Sequence, residues 1–429
     1  MALPYFGRSA GCVSGVYLAI RFRSLLWIFL FALALRAGFV LHKEAGMVFP
    51  DEQDYHTIAR NLIEEGEFRE ADGRRACRAP GYPIFLAGLY VVGLDSPRAI
   101  YLIQAVVGAA TCVLIVLLGA RWYDVRAGKF AGWLAVIYPF FIFYTGLLLS
   151  ETLFICGLAG FLLLLNMLRP EEERSRRGVL LLVLAIGVVA GLMIHLRSSF
   201  LLFPIFVLPF LLFRDRPRGK VLLRWGGMML VIGLVLLPWI VRNACLFNRF
   251  VPTTLQVGES LYEANSPYAD GGPAMDRIPW DEISGGPLSE VERNDFFRQR
   301  AIEHIRENPG RFLRLALVKF SRFWNPAPNY GPYRTPFYLA VSAGSVLPVY
   351  VLAVCGLLWH RWSRRLLVLL SPVIYFTLLH MIFVGSIRYR TPVMPALLVL
   401  AGAGAAPFWE RLKEHLAPGP GRRAWKVWL

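Results

Sequence analysis

Apolar runs of nearly bilayer length recur along most of this chain, and nothing constrains its fold more. A hydrocarbon core about 30 Å thick takes roughly 20 apolar residues of helix to cross. Ten spans are expected, near 24–42, 98–120, 128–147, 150–168, 178–196, 199–213, 221–241, 336–358, 366–384 and 391–408. Composition agrees: the 429 residues are 56% hydrophobic and only 17% charged, leaner in charge than a soluble domain. The predicted class is an all-α polytopic membrane protein. The apolar stretch 81–94 is too short to cross and is expected to be re-entrant or interfacial.

The net charge is +17, yet its distribution argues against a nucleic-acid partner. Basic residues gather in short segments between apolar runs, such as Arg121, Arg126 and Lys129, or Arg214, Arg216, Arg218, Lys220 and Arg224. The short turns after spans three, five and nine hold almost none. That alternation is the positive-inside pattern. It places the N-terminus (1–23) and the basic tail (409–429) in the cytoplasm, with the first span an uncleaved signal anchor.

Two membrane regions, 24–241 and 336–408, then carry two large outer segments, 43–97 and 242–335. In the first, 53–65 has the period of an amphipathic helix, with Tyr55, Ile58, Leu62 and Ile63 on one face. In the second, Ser289 followed by Glu292 marks a capping box opening a helix to Asn308, and 310–323 is a further amphipathic stretch. Cys77 and Cys245 both fall on the outer side, where a disulfide is chemically allowed.

Chemistry-bearing residues collect on that outer side. Asp51 and Glu52 follow the first span, and Arg78-Ala79-Pro80-Gly81-Tyr82-Pro83 comes soon after. Acidic residues are ordinary in a solvated loop, but this pair also suits a general base or a metal ligand. Arg36, Arg197, Arg388 and Arg390 lie outside the positive-inside pattern. One arginine near a bilayer edge can snorkel, whereas four on one side are expected to hold an anion. The guanidinium fork suits phosphate. Glu151 opens span four, where a helix N-terminus also favours a carboxylate. With Asp51 it offers oxygens for a divalent metal. His42, His56 and His195 lie near the same face, with no HExxH pairing, and read as supporting residues.

In order and sidedness, several motifs resemble the GT-C membrane glycosyltransferases, in the bacterial branch of the protein O-mannosyltransferase and aminoarabinose-transferase superfamily. These are Asp51-Glu52, Arg78 to Pro83, Ser150-Glu151, Arg197 and Arg388-Tyr389-Arg390-Thr391-Pro392. Pro238 to Asn243, Gly258, Asn265 and the stretch from Ala301 to Trp324 add to the resemblance. It implies a sugar donor on a polyprenyl phosphate, transfer at the outer face of the bacterial cytoplasmic membrane, and an acidic residue of the first loop assisting the acceptor. That role falls on Asp51, with Glu52 and Glu151 as further catalytic candidates. Arg36, Arg197, Arg388 and Arg390 are the expected donor-phosphate ligands. Tyr55, Arg78, Tyr82, Asn265 and Tyr389 would line the substrate region. Lipid, glycan and protein acceptors stay open, as do the sugar and metal dependence. The rival readings are a lipid-linked glycan flippase, disfavoured by the few mid-membrane charges, and a glycan polymerase or ligase.

Overall fold

The computed structural model describes residues 22–44, 46–168, 174–329, 331–360 and 363–416. The expected N-terminal arm up to residue 21 and the tail beyond 416 lie outside them. The regular structure of the described residues is all helical, with no strand. The longer helices are α1 (Phe22–His42), α2 (Pro50–Glu64), α3 (Gly81–Val91), α4 (Pro97–Trp122) and α5 (Val125–Ile137). They continue with α6 (Glu151–Met167), α7 (Arg176–Leu196), α8 (Arg218–Phe247), α9 (Val257–Asn265) and α10 (Glu290–Glu307). The last four are α11 (Pro309–Trp324), α12 (Pro336–Trp359), α13 (Arg364–Ile382) and α14 (Met394–Leu416).

Among the described residues seven helices are long and apolar enough to cross a bilayer: α1, α4, α7, α8, α12, α13 and the stretch 387–409 that runs into α14. An eighth crossing results if α5 and residues 139–146, bent by 54°, are taken together. The expected count of ten is therefore not confirmed. Span 150–168 corresponds to the 17-residue α6. Span 199–213 is broken into a 3₁₀ turn and two short helices, each holding a proline, Pro204 or Pro209, near its start. The stretch 387–409 forms the centre of the bundle, 83% buried along its apolar window against 22% for α1. Close approach depends on small residues: a Cβ at Gly404 would sit 2.0 Å from the Leu352 carbonyl oxygen of α12.

The break after α5 has a local cause. Pro139 has no N–H, so the carbonyl of Ala135 loses its i+4 donor at membrane depth. Arg36 of α1 donates to the oxygens of Ala135 (3.2 Å) and Val136 (3.4 Å) at that end, and also to Ala32 O of its own helix (3.1 Å). The C-terminal end of a helix also favours a cation.

The two large loops pack together. Ala76 O accepts from Leu255 N at 2.8 Å, and the Glu290 carboxylate accepts from the N–H groups of Arg75 and Ala76 at 2.8 Å each. Arg74 reaches Glu259 at 3.2 Å. The capping box at Ser289 is formed with Glu292 as its spacing predicts. On α2, Tyr55, Ile58 and Ala59 face inward, but Ile63 is 40% exposed. The buried stripe thus follows 55, 58, 59 and 62, the 3.6-residue period, and leaves Ile63 outside it. Cys77 and Cys245 are free thiols, one buried and one exposed.

Candidate active site

Five segments distant in sequence converge at the face that bears the large loops. Asp51 lies in the first turn of α2, where Pro50 fixes the helix start and the macrodipole favours a carboxylate. Glu151 opens α6, Arg197 ends α7, Arg388 sits in the 3₁₀ turn Ile387–Val393, and Arg78 precedes α3. Arg388 joins the two carboxylates: its Nη1 donates to Asp51 Oδ2 at 2.5 Å, and its Nε donates to Glu151 Oε1. Arg197 pairs with the same Glu151 oxygen at 3.1 Å. Arg78 reaches Asp51 Oδ1 at 2.9 Å and Asp54 Oδ2 at 2.5 Å.

Exposure grades the cluster. The side chains of Asp51 and Arg388 are 25% and 23% exposed, Arg197 13%, and Glu151 0%. Exposure thus falls from Asp51 at the surface to Glu151, the deepest member of the cluster. One Glu151 oxygen, Oε2, has no hydrogen-bond partner and remains a free acceptor. Burial alone would raise the Asp51 carboxyl, but Arg388 and Arg78 outweigh it and hold the group well below the usual carboxylate range. Asp51 is thus ionised at neutral pH. The aromatic walls are Tyr55, with Arg78 over its ring at 5.9 Å, and Tyr389, which stacks on His380 at 4.4 Å beneath Arg197.

Other predicted site residues take supporting places. Glu52 is buried with both oxygens occupied: Oε1 accepts from Val48 N (2.8 Å) and Phe49 N (3.0 Å), and Oε2 from Leu148 N (2.8 Å). It braces backbone and does not join the cluster as a second acid. Arg36 caps the broken end of α5. Arg390, 1% exposed, donates to Asn325 O at 2.6 Å and Tyr350 Oη at 2.9 Å. Neither shares a partner with Asp51 or Glu151. Tyr82 is fully buried and donates to Gln104. Asn265 accepts from Lys319 Nζ at 2.9 Å and donates to Ile382 O at 3.1 Å, tying α9 and α11 to α13. His56 bonds Tyr90, and His195 the Val235 carbonyl.

Asp54 and Glu70 were not anticipated. Asp54 lies three residues after Asp51, so helical spacing places both on one face. Glu70 Oε1 lies 3.8 Å from Arg78 Nε, and burial pushes its carboxyl up to about 7 despite Arg74 and Arg78. Among the described residues no group of three or more His, Cys, Asp and Glu is arranged to hold a metal ion. With Arg388 between Asp51 and Glu151, the donor set does not fit a divalent cation.

Residues 77–241 match the family described as dolichyl-phosphate-mannose-protein mannosyltransferase. The oligosaccharyltransferase AglB of Archaeoglobus fulgidus, solved with an inhibitory peptide and a dolichol-phosphate, superposes with a TM-score of 0.60 at 15% identity. That alignment covers 94% of this chain and 52% of AglB. The same archaeal enzyme tethered to an acceptor peptide gives 0.60 at 13% identity, covering 92% and 51%. The chain has a GT-C membrane fold. It spans about half the length of the oligosaccharyltransferase it matches. ArnT of Cupriavidus metallidurans, bound to undecaprenyl phosphate, aligns over 94% of this chain and 79% of its own, at 15% identity and a TM-score of 0.43. No curated protein matches the sequence.

Proposed function

We propose that this GT-C protein is a membrane glycosyltransferase that moves a sugar from a polyprenyl-phosphate donor, undecaprenyl phosphate in a bacterium, to a lipid, glycan or protein acceptor. The observation that carries the reading is Arg388 bridging Asp51 and Glu151, with Arg197 alongside. In this reading Asp51 is the base and Arg388 and Arg197 are the two forks that take the donor phosphate beside it. The basic bias of the opposite segments supports placing that site on the periplasmic side of the cytoplasmic membrane, with both termini inside.

In the reaction, the donor phosphate competes with the carboxylates for Arg388 and Arg197. Departure of Arg388 from Asp51 raises the proton affinity of that carboxylate. The acceptor oxygen or nitrogen attacks the anomeric carbon while its proton passes to Asp51. The bond from the anomeric carbon to the phosphate oxygen breaks, and its electron pair leaves with the phosphate. Arg388 and Arg197 stabilise the charge that grows there. A single displacement of this kind inverts the anomeric centre, unlike the two-carboxylate covalent route.

The test uses purified protein in vesicles that hold undecaprenyl-phosphoryl mannose or undecaprenyl-phosphoryl aminoarabinose, with a membrane extract as acceptor. Release of undecaprenyl phosphate, dependent on Asp51, is expected from at least one donor. A protein that neither binds nor releases undecaprenyl phosphate overturns the reading.

A further inference from the structure

Ahead of Glu151 the chain is irregular. Residues 144–146 form a single 3₁₀ turn, and 147–150 lie outside any helix before α6 begins. Tyr144 through Glu151 are all buried, at the depth of a membrane bundle. Backbone of this kind is tolerated there only where protein groups satisfy it. Two of its carbonyls, those of Thr145 and Leu147, accept from one side chain, Gln104 Nε2, at 3.0 and 2.7 Å. Gln104 lies in the apolar span α4 and is fully buried. Its Oε1 accepts from the Tyr82 hydroxyl at 3.0 Å, which fixes which way the amide points. The N–H of the next residue, Leu148, goes to Glu52. Gln104 thus has three polar contacts across three elements, and two of them end within six residues of Glu151.

We infer that Gln104, oriented by Tyr82, is a positioning residue that sets the Glu151 carboxylate against Arg388 and Arg197. The inference rests on the reading of Glu151 as part of the site. A methionine at 104 keeps the length of the side chain but takes the amide donor from both carbonyls, leaving the Leu147 oxygen only the Leu149 N–H at 2.8 Å, so the segment must shift to find new partners. Glu151 then loses its register with the two arginines. The Glu52 contact holds only the N–H of Leu148 and does not replace them.

The positioning role can be tested without knowing the sugar. Dicyclohexylcarbodiimide labels buried carboxyl groups that have lost their ion pairs, and peptide mass spectrometry reads each site. In the unchanged protein Glu151 is expected to be protected. In Gln104→Met its labelling should rise about fivefold or more, the lower end of what one lost buried hydrogen bond is worth. Glu259, a buried carboxylate paired with Arg74 and Arg293 in the outer loops, should stay as in the parent. Unchanged labelling of Glu151, or an equal rise at Glu259, overturns the proposal, since the second outcome signals general loosening. If Gln104→Met does not fold, Tyr82→Phe decides: it removes only the orienting hydroxyl, and Glu151 labelling that fails to rise overturns the proposal. Because no donor is involved, the positioning claim can fail while glycosyl transfer stands, and an active Asp51→Asn protein would sink the transfer reading while leaving the labelling intact.

Discussion

Arg388 and Arg390 are two residues apart on one 3₁₀ turn, and the structure sets them to opposite tasks. Arg388 faces two carboxylates and is partly exposed, while Arg390 is buried against the carbonyl oxygen of Asn325 and the Tyr350 hydroxyl. Arg197 and Arg36 repeat the contrast on other helices. Carboxylates and a phosphate compete for the same fork on equal terms, because both are anions. Backbone carbonyls buried in a bundle do not let go, because each would then be left without a donor. An arginine's partner, more than its side of the membrane, therefore tells a ligand from a brace.

The sharpest way to break this comparison is at the base. Asp51→Asn should cut transfer by about two orders of magnitude or more, the usual worth of a general base, with membrane insertion and melting unchanged. Turnover near that of the parent by a folded variant would remove Asp51 from the mechanism. The paired arginines come next. Arg388→Lys keeps the charge but loses the fork, and donor use should weaken by about 1.5–3 kcal/mol in transition-state free energy. Arg390→Lys should instead lower the melting temperature and leave the affinity of the surviving protein for undecaprenyl phosphate unchanged. Equal losses of affinity in the two variants would erase the distinction.

Arg36→Met tests the brace at the other end. Freed carbonyls at the end of α5 should cost about 1–3 kcal/mol of stability, read as a lower melting temperature in detergent. A melting curve like the parent's would show that the broken helix needs no cap.

The smallest effect concerns two carboxyls that share Arg78. Asp51 is held below the ordinary range, so its contribution to stability is complete at neutral pH and is lost only as pH falls below about 4. Glu70 is the reverse: raised from 4.5 to about 7, it keeps its proton longer in the folded state. Stability should therefore fall as pH rises through that window and level off above it. Glu70→Gln should flatten the decline in melting temperature between pH 5 and pH 8. An identical decline in variant and parent would mean that Glu70 ionises as freely folded as unfolded.

Fold class was legible because bilayer thickness acts on composition alone, and a run such as 98–120 can be read without knowing its neighbours. The crossing count was less legible. Pro139, Pro204 and Pro209 divide apolar runs in ways that hydropathy does not register. At the site, Arg197 and Arg388 were visible as charges outside the positive-inside pattern and Asp51 and Glu151 as carboxylates on the same side, and the structure brings all four together. Arg36 and Arg390 gave the same sequence signal but have other partners, because a sequence shows the charge and not what faces it. Gln104 carried a signal too, as a lone amide in an apolar span. Its meaning depends on irregular backbone forty residues later, which no local pattern announces.

The arginine that closes the broken end of α5 also bears on how the molecule is made. Arg36 enters with the first span, but the Ala135 oxygen it needs lies 99 residues further along the chain. At translation rates of about 5–20 residues per second, the partner follows roughly 5–20 seconds behind. Throughout that interval the first helix must keep a cation near the lipid headgroups, by snorkelling, and cannot settle to its final depth. Its docking is deferred until the third apolar segment arrives, so the order of synthesis becomes an order of assembly.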